Sequence, residues 1–421
     1  MQSAAPSSVI SQVNIWIANP FDELPRPGVT PLRYAALAEA LTSAGHRVVW
    51  WSCDWSHLNK APRTSVADAS WPFQVRLIAV RPYRRHVSLR RWLSHRDYAR
   101  GLKRQGEAAI ASQELPPPDV LIASLPPLGV LNTLASWKQR YRTRFVLDLM
   151  DAWPETFYRL LPRSLRSTLG PLLFASGHAS ARRAYSLADR ISGVGQGFLN
   201  RAIAAGFTGP THLCYHGTDL ARFPPRVTPV PPGEPLQALY LGAMNRGYDL
   251  DTLISVADRW KQEDRLPWRI HLAGNGDQVE RLKARCSRLG LGPDRVHWHG
   301  YLDAGAVATL MQQCHLGLVL NRPDSLVCCP YKAAEYAAAG LPMITCLSGE
   351  FAALLTTWRA GTVVADNDPA ALAEALDRYA RDPATLREAG QQSRYLAEAA
   401  FNRRITYHRL AEFIMNGSAV Q

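Results

Sequence analysis

The sequence lacks the long apolar runs and the cysteine patterns that mark several classes of protein. No stretch approaches about 18 uninterrupted apolar residues, so we expect no transmembrane helix. The first residues, MQSAAPSSVISQVNIWIAN, have no basic segment ahead of an apolar one, so we expect no signal peptide. The seven cysteines lack metal-ligand spacing, and Cys328 and Cys329 are adjacent. We therefore expect free thiols in a cytoplasmic protein.

The glycine pattern of dinucleotide-binding enzymes is also missing. Those enzymes need Gly-x-Gly-x-x-Gly directly after the first strand. The nearest match is GVGQGF, in which Gly193, Gly195 and Gly197 have the wrong spacing. The loop after the first apolar run, NPFDELPRPGVTPLRY, offers Gly28 alone. A nicotinamide-dependent dehydrogenase is therefore not favoured.

What the sequence does contain is a regular alternation of strand-like apolar runs and helix-like segments. Seven such runs lie in the first half, from VNIWIAN to HLCYHG, and six in the second, from LQALYLGA to GTVVA. This alternation predicts parallel sheets with crossover helices. The predicted fold class is α/β, with two doubly wound, Rossmann-like domains facing each other across a cleft. Ligands of such sheets bind beyond the carboxyl ends of the strands.

A proline-rich segment separates the two halves. Residues 223–235, FPPRVTPVPPGEP, hold six prolines in thirteen positions and cannot continue a sheet. We predict an N-terminal domain over residues 1–222, a linker over 223–235 and a C-terminal domain over 236–400. A last helix within 401–421 is expected to cross back to the N-terminal domain.

Positive charge is concentrated in one segment of this chain, whose net charge is +13. Residues 81–104, RPYRRHVSLRRWLSHRDYARGLKR, hold nine Arg or Lys and one acid. Such a segment attracts the phosphates of nucleic acid, of anionic lipid headgroups or of a lipid diphosphate. The interleaved Tyr83, Trp92 and Tyr98 would stack on bases or lie at the headgroup level. A solvated basic face is the third interpretation.

A second informative segment is CCPYKAAEYAAAGLPMITC, residues 328–346. Pro330 favours the start of a helix, and residues 331–339 are mostly good helix formers. Gly340 suits a left-handed cap, and Pro342 prevents the helix from continuing. The segment therefore predicts a short helix followed by a buried strand.

Two charged residues of this predicted helix lie one turn apart. Lys332 is near the N-terminal end, whose N–H groups attract anions, and Glu335 shares its face. A cation beside free N–H groups suits a diphosphate, and a carboxylate one turn further suits vicinal hydroxyls. Together they describe a sugar-nucleotide site. The alternative is a surface ion pair worth about 0.2–0.5 kcal/mol.

Seven stretches follow one another along the chain in a recognisable order. They are NPFDELPRPGVTPLRYAALAEALTSAGHRVVWW, DLMDAWPE, HGTDLARF, LYLGAMNRGYDLDTLI, LAGNGD, VHWHGYL and PYKAAEYAAAGLP. In this order they resemble glycosyltransferase family 4, the retaining enzymes with the GT-B fold. The resemblance covers nearly the whole chain and is greatest to the bacterial transferases of O-antigen, capsule and exopolysaccharide assembly, which often carry D-x-W-P-E. It implies an N-terminal domain that binds acceptor and faces a membrane, and a C-terminal domain that binds a nucleotide sugar.

On the donor side, the resemblance implies that Lys332 and Arg246 hold the diphosphate and that Glu335 holds the ribose hydroxyls. It assigns further donor contacts to backbone or side-chain groups of Gly242, Gly274, Gly300, Tyr301, Leu302, Ser325 and Tyr331. The family often has two glutamates separated by seven residues, but here the first position is Val327. That glutamate contacts the donor sugar, so Ser325 or the backbone of residues 326–329 would take its place.

On the acceptor side, the resemblance places Gly28 in a loop that approaches the donor phosphate. Asp151 and Glu155 follow a strand and face the cleft, where either would orient the acceptor hydroxyl; we expect Asp151 to act in catalysis. His216 precedes the linker near the hinge. Two structural alternatives stay open: Asp151 as a helix N-cap, and His216 as a hydrogen-bonding group at the domain junction.

Metal ligation is not favoured by the acidic motifs. The sequences DLD at 249–251 and DND at 366–368 are better explained as helix starts, where acids interact well with the helix dipole. We expect no bound metal and no other cofactor. Arg246, Lys332 and helix N-termini would neutralise the leaving diphosphate.

The predicted protein is a cytoplasmic glycosyltransferase at the inner face of the plasma membrane. It would move a sugar from a nucleoside-diphosphate donor, UDP rather than GDP, to a lipid-linked or saccharide acceptor in surface polysaccharide synthesis. Residues 81–104, with arginines around the apolar GPLLFA, would contact anionic lipid; those arginines are Arg163, Arg166, Arg182 and Arg183. Three alternatives remain: a UDP-sugar 2-epimerase, a non-catalytic sugar-nucleotide binder, and a nucleic-acid-binding protein, which nothing in the C-terminal half supports.

Overall fold

Two parallel β-sheets, each flanked by helices, make up the molecule. The computed structural model describes residues 12–25, 32–63, 71–84, 88–224, 233–322, 325–365 and 368–416, without the side chains of Arg159 and Arg163. The predicted site residue Gly28, most of the predicted linker and part of the DND motif lie outside the described residues.

The first sheet has seven parallel strands in the order β3-β2-β1-β4-β5-β6-β7. The strands are β1 (Asn14–Ala18), β2 (Arg47–Cys53), β3 (Gln74–Ile78), β4 (Val120–Leu125), β5 (Arg144–Leu149), β6 (Arg190–Gly193) and β7 (Thr211–Leu213). The order reverses between β1 and β4, which is where ligands bind in such sheets. All six residues of β4 are buried, as expected of a central strand that is covered on both faces.

Helices connect these strands on both faces of the sheet. They are α1 (Arg33–Ser43), α2 (Leu89–Ala111), α3 (Leu131–Tyr141), α4 (Arg166–Leu173), α5 (Ala175–Leu187) and α6 (Gln196–Ala204). Short 3₁₀ turns cover Leu128–Val130, Glu155–Leu160, Arg163–Leu165 and Leu220–Arg222. None of the described helices is both long enough and apolar enough to span a bilayer.

The second sheet has six parallel strands in the order β10-β9-β8-β11-β12-β13. The strands are β8 (Leu236–Leu241), β9 (Trp268–Ala273), β10 (Val296–Gly300), β11 (Leu316–Val319), β12 (Met343–Thr345) and β13 (Gly361–Val363). Each of the thirteen strands in the described part of the chain overlaps one of the predicted apolar runs. The predicted α/β class with two doubly wound sheets is therefore confirmed.

The helices of the second half are α7 (Leu250–Gln262), α8 (Val279–Arg288), α9 (Ala304–Gln313), α10 (Tyr331–Ala338), α11 (Glu350–Trp358), α12 (Pro369–Arg381), α13 (Pro383–Leu396) and α14 (Arg403–Asn416). Asp249 caps α7 by accepting a hydrogen bond from Thr252 N, and Asp368 caps α12 through Ala370 N. Their interpretation as helix-start residues is confirmed.

The last helix, α14, packs on the first sheet rather than the second. Tyr407, Leu410 and Phe413 join the apolar cluster that α1 forms with β1 and β2. The chain crosses at Thr218, whose N–H donates to Phe401 O over 2.8 Å and whose carbonyl accepts from Arg403 N over 3.2 Å. The chain therefore connects the two halves a second time, in addition to the proline-rich segment, and the packing of α14 on the first sheet strengthens that connection.

The basic segment differs in part from its interpretation as one continuous charged and aromatic surface. Most of it is α2, and its exposed cations include Arg90, Arg96 and Arg104. Tyr98, however, is a buried core residue, because α2 needs an apolar side against the sheet. Tyr83, which precedes α2, is buried too, with its ring 5.9 Å from that of His57. Of the three interleaved aromatics, Trp92 alone is exposed. The prediction that all three aromatics serve a ligand or a membrane is therefore wrong.

Candidate functional site

The carboxyl ends of the two sheets meet at a cavity of about 520 Å³. Asp151, which follows β5, and His216, which follows β7, line it from the first half of the chain. From the second half come Gly242 after β8 and both Lys332 and Glu335 of α10. Residues far apart in sequence meet here because parallel strands all end at the same edge of a sheet.

The helix α10 has the start and stop that its sequence predicts. Pro330 occupies the N-cap, and Gly340 has a φ of +68°, the left-handed conformation that ends the helix. The short side chains of residues 333, 334 and 337–339 let α10 pack closely in the core. The same packing buries Lys332 and Glu335, so the interpretation of these two residues as an exposed surface ion pair is wrong.

Lys332 is a buried cation enclosed by aromatic rings. Its Nζ lies 4.0 Å from the ring centre of Tyr240 and 4.5 Å from that of Tyr248, and it makes no hydrogen bond to any residue that the structure describes. Burial lowers the pKa of Lys332 to about 7. The rings offset part of the desolvation cost, but no carboxylate of the described residues lowers it further. An anion in the cavity would neutralise the charge of the ammonium group.

Glu335 pairs with a residue that the sequence did not single out. Its Oε1 lies 3.6 Å from the guanidinium of Arg222, which also donates to Ala304 O over 3.2 Å. Burial raises the pKa of Glu335, against the opposing effect of the Arg222 charge. Both residues, with Tyr301 and Leu302, line a second cavity of about 220 Å³ next to the first. The carboxylate therefore lies where the two cavities adjoin.

Of the predicted glycines, Gly242 lines the cavity beside Lys332, and Gly274 packs directly against the backbone of Gly242. Gly242 and Gly274 have φ of +129° and +135°, and a Cβ on Gly274 would lie 1.9 Å from Gly242 O. Gly274 N donates to Gly300 O over 2.6 Å. A Cβ on Gly242 would lie 3.1 Å from the Lys332 amine. Here the backbone itself approaches the cation, which only glycine allows.

His216 and Tyr331 meet at the junction of the two halves. Their ring centres are 5.4 Å apart, and neither His216 Nδ1 nor the Tyr331 hydroxyl has a hydrogen-bond partner among the described residues. Burial lowers the pKa of His216 to about 3, so its ring is neutral near pH 7. The ring therefore supplies a neutral donor or acceptor to the cavity rather than a charge.

Asp151 follows β5, whose residue Asp148 belongs to a buried charged network. Asp148 accepts hydrogen bonds from Arg33 Nε, Tyr34 Oη and Ser192 Oγ, each over 2.7 Å. Burial opposes the ionisation of Asp148, yet Arg33 and these hydrogen bonds hold its pKa below the usual value. The network fixes the end of β5. Asp151 itself accepts from Ala152 N and from Thr156 Oγ1, two local hydrogen bonds that hold its carboxylate at the cavity wall. It is not a helix N-cap, since Pro154 occupies that position in the turn that follows.

Some predicted site residues are not brought into the cavity. Arg246 is exposed, and its side chain is not among the described groups that line the wall. Ser325 accepts from Asn321 Nδ2 over 3.4 Å and does not line the cavity, and Glu155 pairs with Arg201. Val327 does line the cavity, next to Leu326 and Cys328, so the wall at the missing glutamate is apolar.

Sequence reasoning missed Tyr240, Tyr248 and Arg222. A signal for Tyr240 existed, because it is the penultimate residue of the strand that leads to Gly242. Tyr248 lies in the next loop, and its position over Lys332 depends on tertiary packing. Among the described residues, no group of three or more His, Cys, Asp or Glu side chains could hold a metal ion.

A contact across the cleft explains the glycines of GVGQGF. Glu350, at the start of α11, accepts hydrogen bonds from Gln196 N over 2.8 Å and Gly197 N over 3.2 Å at the start of α6. Its Oε1 also accepts from Tyr215 Oη over 2.7 Å. A carboxylate suits the N–H groups of a helix start.

The close approach of the two halves also requires a glycine. A Cβ on Gly195 would lie 2.4 Å from Cys328 Cβ, too near for any side chain. The glycine motif therefore serves contact between the two halves of the chain.

Comparisons with known proteins find glycosyltransferases. The family model Glycosyl transferases group 1 matches residues 226–396, the part of the chain that holds α10. A curated relative in Escherichia coli (strain K12), named as the colanic acid biosynthesis glycosyltransferase WcaL, is 24% identical over 202 residues. That alignment covers 47% of this chain and 49% of the relative, so it spans about half the length of each.

Two solved structures match over almost their whole length. Sucrose-phosphate synthase from Thermosynechococcus elongatus has a TM-score of 0.72 at 18% identity, covering 96% of this chain and 98% of that one. The chain has the GT-B fold. HepE of Anabaena, solved in complex with UDP and glucose, has a TM-score of 0.65 at 14% identity, covering 96% and 100%. With the family model, this GT-B fold supports a glycosyltransferase.

Proposed function

We propose that this protein transfers a hexose from a nucleoside-diphosphate donor to a lipid-linked or saccharide acceptor in bacterial surface polysaccharide synthesis. The donor binds against the second sheet and the acceptor against the first. The anomeric configuration is retained, as the resemblance to glycosyltransferase family 4 implies. The protein acts in the cytoplasm at the inner face of the plasma membrane.

The observation that carries the proposal is the environment of Lys332. A buried ammonium with two aromatic rings, a glycine floor and no carboxylate partner in the described residues is costly unless an anion completes it. The diphosphate of the donor is that anion. Because its charge grows as the sugar leaves, Lys332 and the N–H groups at the start of α10 stabilise the transition state more than the ground state.

The nucleoside extends from the diphosphate into the smaller cavity. Glu335 accepts hydrogen bonds from the ribose hydroxyls, and the charge of Arg222 favours the ionised carboxylate against the effect of burial. The base lies by Tyr301 and Leu302, where backbone groups read it. We favour UDP over GDP because the small volume of this cavity, about 220 Å³, suits a pyrimidine, and because a neighbour of the same fold binds UDP.

The acceptor enters from the side of the first sheet. Asp151 orients its hydroxyl at the wall opposite Gly242, and His216, neutral near pH 7, donates or accepts a hydrogen bond at the junction. The exposed cations of α2 contact the anionic surface that carries a lipid-linked acceptor. The name of the curated relative, which places it in colanic acid biosynthesis, favours a surface glycan.

The experiment is a thermal-shift panel of UDP- and GDP-sugars followed by a transfer assay with the donor that stabilises the protein. A specific donor at 100-fold its Kd adds about 2.7 kcal/mol of stability. With a polyprenyl-diphosphate saccharide as acceptor, we expect acceptor-dependent UDP release and a new glycosidic bond with retained configuration by NMR.

Other outcomes would identify the alternatives. Formation of a C2-epimerised sugar without any acceptor would establish a UDP-sugar 2-epimerase. Stabilisation by UDP without turnover on any acceptor would indicate a non-catalytic binder. No stabilisation by any nucleotide would contradict the proposal altogether.

A further inference from the structure

Part of the large cavity has apolar walls that come from both halves of the chain. Its side chains are Met150, Val194 and Phe198 of the first half and Leu326, Val327 and Cys328 of the second. We call these six residues the apolar end. In the part of the chain that the structure describes, they line the large cavity alone, whereas Tyr331 and Glu335 line both cavities. The apolar end therefore lies away from the place where the two cavities adjoin.

Cys328 closes the apolar end between the two halves. It packs against the apolar cluster of the first sheet, and its Sγ lies 3.2 Å from the position that a Cβ on Gly197 would take. Gly195 makes the still closer approach to Cys328 described above. The second half of the chain thus lies directly on the start of α6, and this side of the cavity is closed by protein.

Leu326 and Val327 present apolar surface at this closed end. They are 40% and 41% exposed, and part of that surface lines the cavity, where a bound ligand would remove it from water. The neighbouring polar residue, Ser325, accepts a hydrogen bond from Val327 N over 3.4 Å and does not line the cavity. The six side chains of the apolar end therefore offer no strong hydrogen-bonding group to a ligand.

The proposed binding mode of the donor brings its sugar to the apolar end. With the nucleoside in the smaller cavity and the diphosphate at Lys332, the sugar occupies the rest of the large cavity. Asp151, His216 and Asn321 offer polar atoms to ring hydroxyls there, whereas the apolar end offers carbon and sulfur. A sugar with one apolar side matches this division.

The exocyclic carbon of a hexose decides how well its sugar fits such a wall. An ordinary hexose carries CH₂OH at this position, and burying that hydroxyl without a hydrogen bond is costly. A 6-deoxyhexose carries CH₃ instead, and a methyl group gains free energy when it leaves water. Loss of a ring hydroxyl alone would remove the cost but supply no group to fill the space.

We propose that the donor sugar is a 6-deoxyhexose whose methyl group lies against Leu326, Val327 and Cys328. This inference rests on the proposed function and deepens it by naming the class of sugar. An apolar pocket rejects a ligand with one added hydroxyl by about 100-fold at most. We therefore expect a preference of about tenfold to 100-fold over the matching hexose.

The test compares donors that differ in a single hydroxyl group. One pair is UDP-glucose and UDP-6-deoxyglucose, and the other is UDP-galactose and UDP-6-deoxygalactose, so that both configurations at C4 are covered. Calorimetry gives the Kd of each donor and of UDP alone. In at least one pair the 6-deoxy donor should bind about tenfold to 100-fold more tightly than its partner.

A pair of matched variants connects the preference to the wall. V327T adds a hydroxyl to the apolar end at nearly unchanged side-chain volume, and it should lower the preference about tenfold. V363T makes the same substitution on β13, at a valine that is 40% exposed and does not line the described cavity, and it should keep the preference of the parent protein. All three proteins should bind UDP alone equally, which shows that each is folded.

Either of two results would overturn the inference and leave the proposed function standing. One is UDP binding without any preference for the 6-deoxy donor in either pair. The other is a preference that V327T leaves unchanged. A third result, in which none of the three proteins binds UDP, would contradict the proposed function and the inference with it.

Discussion

Lys332 is the residue whose environment departs furthest from that of an ordinary surface lysine. Burial among rings lowers the pKa of its amine to about 7, so above that pH the free protein holds it largely neutral. A bound diphosphate favours the charged form and raises the pKa again. Donor binding should then take up a proton above pH 7 and none well below it.

The affinity for UDP is therefore expected to fall as pH rises through about 7, by up to tenfold per pH unit. Calorimetric titrations in buffers of different ionisation enthalpy measure the proton uptake directly. The control is Lys332→Arg, which stays charged throughout because a guanidinium does not lose its proton in this pH range. It should bind UDP without this pH dependence. A parent protein that takes up no proton between about pH 7 and pH 9 would show that its lysine is charged before the donor arrives.

At the scale of single elements, α11 and α6 contact each other through Glu350. The Glu350 carboxylate accepts hydrogen bonds from two backbone N–H groups and from the Tyr215 hydroxyl across the cleft. Hydrogen bonds to a charged group contribute about 1.5–3 kcal/mol each when formed. This contact favours the approach of the two sheets over a separated arrangement.

Replacing Glu350 by Ala should loosen that approach. We expect a larger radius of gyration by small-angle X-ray scattering and a turnover lowered by about tenfold, since one lost hydrogen bond of this kind is worth at least that factor. UDP affinity should change little, because Lys332 and Glu335 lie on the same half of the chain. Glu388→Ala, at an exposed site on α13, is the matched control. Scattering curves and turnover identical to those of the parent would mean that the contact does not hold the halves together.

For the whole molecule, the sequence predicts the architecture better than the site. Strands buried on both faces read as apolar runs, so all thirteen were predicted, and so was α10 with its proline start and glycine end. The contacts around the cation were not predicted, because Tyr240 and Tyr248 approach Lys332 only after the sheet has formed. Likewise Tyr98 looks like a surface aromatic until the buried side of α2 is known.

The central claim is that Lys332 holds the diphosphate of a nucleotide donor, and the most direct measurement of it is the Kd of UDP for Lys332→Ala against that of the parent protein. The matched control is Lys283→Ala, a half-exposed lysine over the Trp298 ring on the same half of the chain. Loss of one charge-assisted contact predicts a Kd raised about tenfold to a hundredfold in Lys332→Ala, with Lys283→Ala unchanged. Equal UDP affinity in all three proteins would contradict the account.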